Sequence, residues 1–284
     1  MAVTLLLTAC GSSTGAAGKL DVVAAENVYG NIAVQIGGPH VSVTSILTSP
    51  TADPHLFEPG TSTGLAVAGA KVVLQNGLGY DAFMTRLENA APSTSRLVVT
   101  VADVLGVHGK DANPHLWYDV PRLDRIATAI AAAFSRADPS HAVAYHRGLH
   151  RFEGSLAPLR REVAAIRARF GGAPVAYTEP VPGYLVAAAG LRNLAPDSFT
   201  RLIEEGTEPS PSAFAAMNTL ISDHRIRVLL YNSQAVSPIT ARLRAAAQNA
   251  GIPVVPVSET LPPHLTFQQW QLRQARALAD ALAR

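Results

Sequence analysis

The chain has 284 residues, 48% hydrophobic and 15% charged, with a formal charge of +2. That composition excludes a disordered chain, and the length favours two lobes over a single core. Lys and Arg are scattered with no basic run, which argues against a nucleic-acid partner.

The one cysteine, Cys10, rules out a disulfide or a cysteine-based zinc site within the chain. It closes the apolar run Leu5-Leu6-Leu7-Thr8-Ala9 and precedes Gly11-Ser12-Ser13. This stretch resembles a bacterial lipoprotein signal, in which Cys10 would carry the lipid. The plainer alternative is a small buried cysteine. The first basic residue is Lys19, whereas a signal opens with positive charge, so the true start is expected upstream of Met1. Ser12 to Gly18 reads as a flexible tether. No later run approaches the roughly 18 apolar residues that cross a membrane.

Leu20 to Ala25 is the first expected strand. Val28, Ile32, Val34 and Ile36 give helical spacing over 26–37, stopped by Gly37-Gly38-Pro39. A strand over Val41 to Leu47 runs into a loop from Ser49 to Pro59. A short helix around Leu65, the strand Val72-Val73-Leu74, a turn at Asn76 to Tyr80, a helix over 81–90 and a strand over Leu97 to Val101 follow. After a loop around His115, Asp119 is expected to cap a helix carrying Leu123, Ile126, Ile130 and Phe134. From 140 to 170, apolar residues alternate at three and four, from Ala142 through Tyr145, Leu149 and Phe152 to Phe170. That predicts one long helix, bent near Gly154 and Pro158, ending at Gly171-Gly172. Beyond it the expected elements are a strand at Val175 to Tyr177, a helix from Gly183 to Ala189, a strand at Val228 to Tyr231, a helix from Ala241 to Ala250, a strand at Val254 to Val257 and a helix from Gln268 to Leu282. Strands alternating with helices predict an α/β fold of two similar parallel-sheet βα lobes joined by one long connecting helix. The expected divisions are 1–18 signal and tether, 19–138 N-terminal lobe, 139–171 linking helix and 172–284 C-terminal lobe.

Two loops share one pattern: Asp53-Pro54-His55-Leu56-Phe57 and Asn113-Pro114-His115-Leu116-Trp117. Proline fixes its own φ and extends the residue before it, so each loop presents an imidazole on a stiff backbone. A lone Pro-His is ordinary loop chemistry; the repetition makes His55 and His115 candidate metal ligands. Glu179 and Glu259 each follow an expected strand, where ligands bind in open α/β sheets. Either could instead be a helix-start acid. The remaining histidines read as surface or packing residues, with His108 the one to watch.

With these motifs in place, the chain resembles the metal-binding substrate-binding proteins that feed bacterial ABC transporters for zinc and manganese. Asp53-Pro54-His55 with Glu58-Pro59 matches the family's first ligand loop, Asn76-Gly77-Leu78-Gly79 its turn, and Asn113 to Trp117 with Asp119 its second ligand loop. The resemblance implies Glu179 as third ligand and Glu259 as fourth, where the family usually carries Asp. It also implies one divalent ion as cargo, an ABC permease as partner, an extracytoplasmic location (lipid-anchored to the outer face of the cytoplasmic membrane, or periplasmic) and no enzymatic activity. Two imidazoles and two carboxylates serve Mn2+ or Zn2+, and the oxygen donors lean towards manganese. The competing readings are a metal-dependent hydrolase and a surface adhesin. A monomer is expected.

Overall fold

The computed structural model describes residues 18–51 and 54–284. Cys10 and the expected signal lie outside the described residues. The first lobe runs β1 (Leu20–Glu26), α1 (Asn27–Gly37), β2 (Val41–Leu47), α2 (Thr61–Gly69), β3 (Val72–Gln75), α3 (Ala82–Ala90), β4 (Leu97–Thr100), α4 (Val101–Leu105) and α5 (Leu123–Ala137). Two helices follow, α6 (Ala142–Ser155) and α7 (Ala157–Phe170). The second lobe runs β5 (Pro174–Tyr177), α8 (Gly183–Ala188), β6 (Arg192–Asn193), α9 (Asp197–Glu204), α10 (Pro211–Ser222), β7 (Val228–Asn232), α11 (Pro238–Asn249), β8 (Val254–Val257) and α12 (Phe267–Leu282).

Each lobe holds a four-stranded sheet, ordered β2-β1-β3-β4 and β6-β5-β7-β8. All the pairings are parallel. In β1 only Asp21 is exposed, and every residue of β7 is buried, as expected for strands covered on both faces. In both sheets the strand order reverses beside the first strand. Loops leaving the carboxyl ends there form a crevice, and in this molecule the two crevices face each other.

The expected linking helix divides at Leu156, whose backbone stays helical (φ −77, ψ −12). Pro158 has no N–H to donate into the preceding turn, so the ladder is interrupted there and the span is divided into two helices. Two expectations are corrected. Val101 opens α4 rather than ending β4: Ala102 N donates to Asn76 O (2.9 Å), and Gly106 closes the turn at φ 66. Asp119 does not cap α5. The 3₁₀ turn Val120–Arg122 intervenes, and the Asp119 carboxylate is paired with Arg122 instead. Residues 190–227, left without elements in the sequence reading, contain β6, α9 and α10.

Candidate metal centre

His55 lies in the 3₁₀ turn Pro54–Leu56 on the chain leaving β2. Phe57 anchors the turn against Phe83 (ring centroids 5.0 Å apart). His115 is fully buried. Its Nδ1 donates to Asn113 Oδ1 (2.8 Å), and Asn113 is itself oriented by donating Nδ2 to Pro180 O across the cleft (2.7 Å). With the hydrogen held on Nδ1, the Nε2 lone pair is left to face the cleft. The loop is supported from beneath, because Asn76 Nδ2 donates to Pro114 O (2.8 Å).

From the second lobe comes Glu259, two residues past β8 and buried. Its Oε2 lies 3.2 Å from His115 Nε2 and 3.4 Å from His55 Nε2, and accepts a hydrogen bond from Tyr80 OH (2.9 Å). Its backbone N–H donates to Gln234 Oε1 (2.6 Å), which fixes the loop. One donor atom from each of His55, His115 and Glu259 lies within 4.8 Å of the other two.

These spacings suit a metal ion. Two ligands each 2.0–2.1 Å from a tetrahedral ion stand about 3.4 Å apart. The chemistry agrees. With Nδ1 protonated, His115 Nε2 and Glu259 Oε2 both offer lone pairs, so a proton or a cation must stand between them. Burial alone would raise the Glu259 carboxyl. The hydrogen bonds with His115, then with His55, outweigh that and hold it well below the usual carboxylate range.

Glu179 is buried at the end of β5 but stands outside this three-donor set. It is coupled to the set through Asn232 at the end of β7. Asn232 Nδ2 donates both to Glu179 Oε2 and to Glu259 Oε1 (2.8 Å to the latter). A single amide therefore separates two carboxylates that would otherwise repel. Sequence reasoning missed Asn232, since an asparagine ending a buried strand carries no ligand signature. It also missed Glu204, the last residue of α9, whose Oε1 is 3.7 Å from His115 Nδ1. Burial raises the Glu204 carboxyl, and the imidazoles of His115 and then His55 oppose the rise. His108 is exposed and outside the cluster. His40 and His141 stack on each other at 4.0 Å between ring centroids, also outside it.

The sequence pattern of the family described as zinc-uptake complex component A, periplasmic (ZnuA), matches residues 22–281. The chain belongs to the ZnuA family. Among curated relatives, the manganese-binding lipoprotein MntA of Bacillus subtilis is 30% identical over 178 residues, 57% of this chain and 57% of that one. A putative metal-binding protein of Treponema pallidum is 23% identical over 289 aligned residues, 94% of this chain and 90% of that one. The match to MntA thus spans little more than half that relative's length. Among solved structures, the periplasmic zinc-binding protein TroA of Treponema pallidum superposes with a TM-score of 0.79 at 19% identity, covering 94% of this chain and 100% of that one. A ZnuA crystal structure gives 0.75 at 21% identity, with 93% and 98% covered. These likenesses establish the ZnuA-type fold of two parallel-sheet lobes.

Proposed function

We propose that this protein captures a divalent manganese or zinc ion between its lobes and hands it to the membrane permease of an ABC importer. The reading rests on one observation: buried donor atoms from two lobes converge within 4.8 Å of one another, with Glu259 Oε2 at 3.2 and 3.4 Å from the two imidazoles, near the edge of a tetrahedral coordination shell. His55, His115 and Glu259 are the core ligands. Glu179 is the fourth, brought in by a small shift of the carboxylate pair that Asn232 bridges. Oxygen donors alongside two imidazoles accommodate manganese as well as zinc. The family is one of uptake components, so the chain is a receptor and not a hydrolase. Relatives named as lipoproteins support an extracytoplasmic place, with the lipid on Cys10. The receptor acts as a monomer. No helix among the described residues is long and apolar enough to cross a membrane.

Metal should stabilise the fold. At free Mn2+ or Zn2+ about a thousandfold above Kd the gain is about 4 kcal/mol. His115→Ala should abolish most of the metal-induced rise in melting temperature. A variant that keeps the full rise in a thermal melt would sink the site assignment.

A further inference from the structure

We propose that Glu204 is a transit ligand, the carboxylate that takes the arriving cation at the cleft mouth and passes it inward to His115 and Glu259. The proposal rests on the metal-receptor reading above and adds a route to it. The site is graded in exposure. The side chains of His115 and Glu259 are 0% exposed, whereas His55 and Glu204 keep 20% and 15%. A cation arriving from solvent therefore meets the outer pair first. The outer pair shares an open cavity of about 400 Å³, lined also by Tyr80, Pro114 and Glu205.

The element carrying Glu204 is placed for this task. α9 belongs to the second lobe, yet Arg201 Nη1 donates to Asp111 Oδ1 (2.5 Å), on the loop that leads to His115. The helix is thereby clipped across the mouth of the cleft. Glu204 Oε1 is buried, and among the described residues it accepts no hydrogen bond; it pairs with His115 Nδ1 at 3.7 Å, and the charges of His55, Glu259 and Glu205 also act on it. A hard oxygen donor held this way can replace one water of a hydrated divalent ion before the imidazoles replace the rest. Glu204 is not a resident ligand. It faces Nδ1 of His115, which already donates to Asn113 Oδ1, and it stands outside the three-donor set.

The test is stopped-flow mixing with Zn2+ and with Mn2+. Trp117 fluorescence reports loading, since its ring lies 5.4 Å from His115, and a chelator chase reports release. Glu204→Gln should slow both association and dissociation about tenfold, leaving Kd within about threefold, because a transit group lowers the barrier in both directions. Glu204→Asp should restore part of the rate. Glu208→Gln removes the same charge from the exposed rim and should leave both rates within about twofold. An unchanged association rate in Glu204→Gln would overturn the proposal, as would an equal loss in Glu208→Gln. A Kd raised a hundredfold or more at an unchanged association rate would make Glu204 a resident ligand and overturn it too. Failure of the wild-type protein to take up either metal would overturn the receptor reading itself. That outcome is separable, because it needs no variant.

Discussion

At the scale of single residues, the turn after β3 shows how the site is supported. Gly77, Leu78 and Gly79 all have positive φ (85, 58 and 84). The conformation is natural for the glycines and costs Leu78 about 1 kcal/mol. It persists because Asp81 accepts hydrogen bonds from Asn76 N and Gly77 N, and Asn76 Oδ1 accepts one from Tyr29 OH (2.6 Å). The turn delivers Tyr80 to Glu259 and Asn76 to the His115 loop. Behind it Glu26 is buried and faces Asp81. Burial, then the Asp81 charge, raises the Glu26 carboxyl well above the usual range; burial raises the Asp81 carboxyl as well, opposed by the backbone N–H groups of Gly77 and Asn76. For an acid raised in the folded state, stability falls as pH climbs from the unfolded pKa, about 4.3, towards the folded one. Glu26→Gln removes that titration and can donate to Asp81. It should therefore gain stability over wild type at pH 8 and show a flatter pH profile. Urea denaturation at pH 5 and pH 8 checks this; an unchanged pH slope would refute it. None of this was legible in the sequence, where Glu26 read as the start of a helix and Asp81 as part of another.

At the scale of elements, α6 is held to α1 by close backbone approach. A Cβ on Gly148 would lie 2.0 Å from Ile36 O. Backbone cannot swing aside as a flexible side chain can, so Gly148→Ala must push the helices apart. Overpacking of this kind costs about 1–3 kcal/mol. The melting temperature should drop by several degrees, whereas Gly154→Ala, with nothing within 4 Å, should leave it unchanged or higher. Legibility at this scale followed the length of the periodic signal. The pattern over 140–170 was long enough to show the helical span, which the structure divides at Leu156. α9 spans eight residues and β6 two, too few for a period to declare itself. α10 had a readable start in Ser210-Pro211, where Ser210 Oγ accepts from Ala213 N (3.2 Å).

At the scale of the whole molecule, the two lobes repeat one topology that the sequence conceals. Continuing the registers Ala24↔Leu74 and Tyr177↔Leu230 by two residues sets Glu26 opposite Asn76 and Glu179 opposite Asn232. A glutamate and an asparagine thus stand at each switch point. In the first lobe the glutamate is spent internally on Asp81; in the second it is turned towards the cleft. The lobes are joined behind the site by amides. Asn27 donates to Leu261 O and accepts from Leu261 N (2.9 Å each), Asn31 Oδ1 accepts from Phe267 N (2.9 Å), and Gln35 and Gln268 exchange hydrogen bonds. Asn27→Ala strands both backbone groups of Leu261, at about 2 kcal/mol, and loosens the seam. Calorimetry should show a lower and broader transition, and metal should dissociate faster. An unaltered melt would show that the seam does not couple the lobes.

What the sequence determined by itself was local. Alternating apolar runs set the strands and helices, proline made the two histidine loops stiff, and the repeated Pro-His-Leu-aromatic pattern singled out His55 and His115. What only the tertiary structure decided was convergence. Three donors lie within reach of one ion because two sheets present their carboxyl ends to each other across 204 residues of chain, from His55 to Glu259. Asn232 and Glu204 acquire their meaning only there. Coordination depends on distance in space, and periodicity along a chain encodes which face a residue occupies, not which distant face it meets.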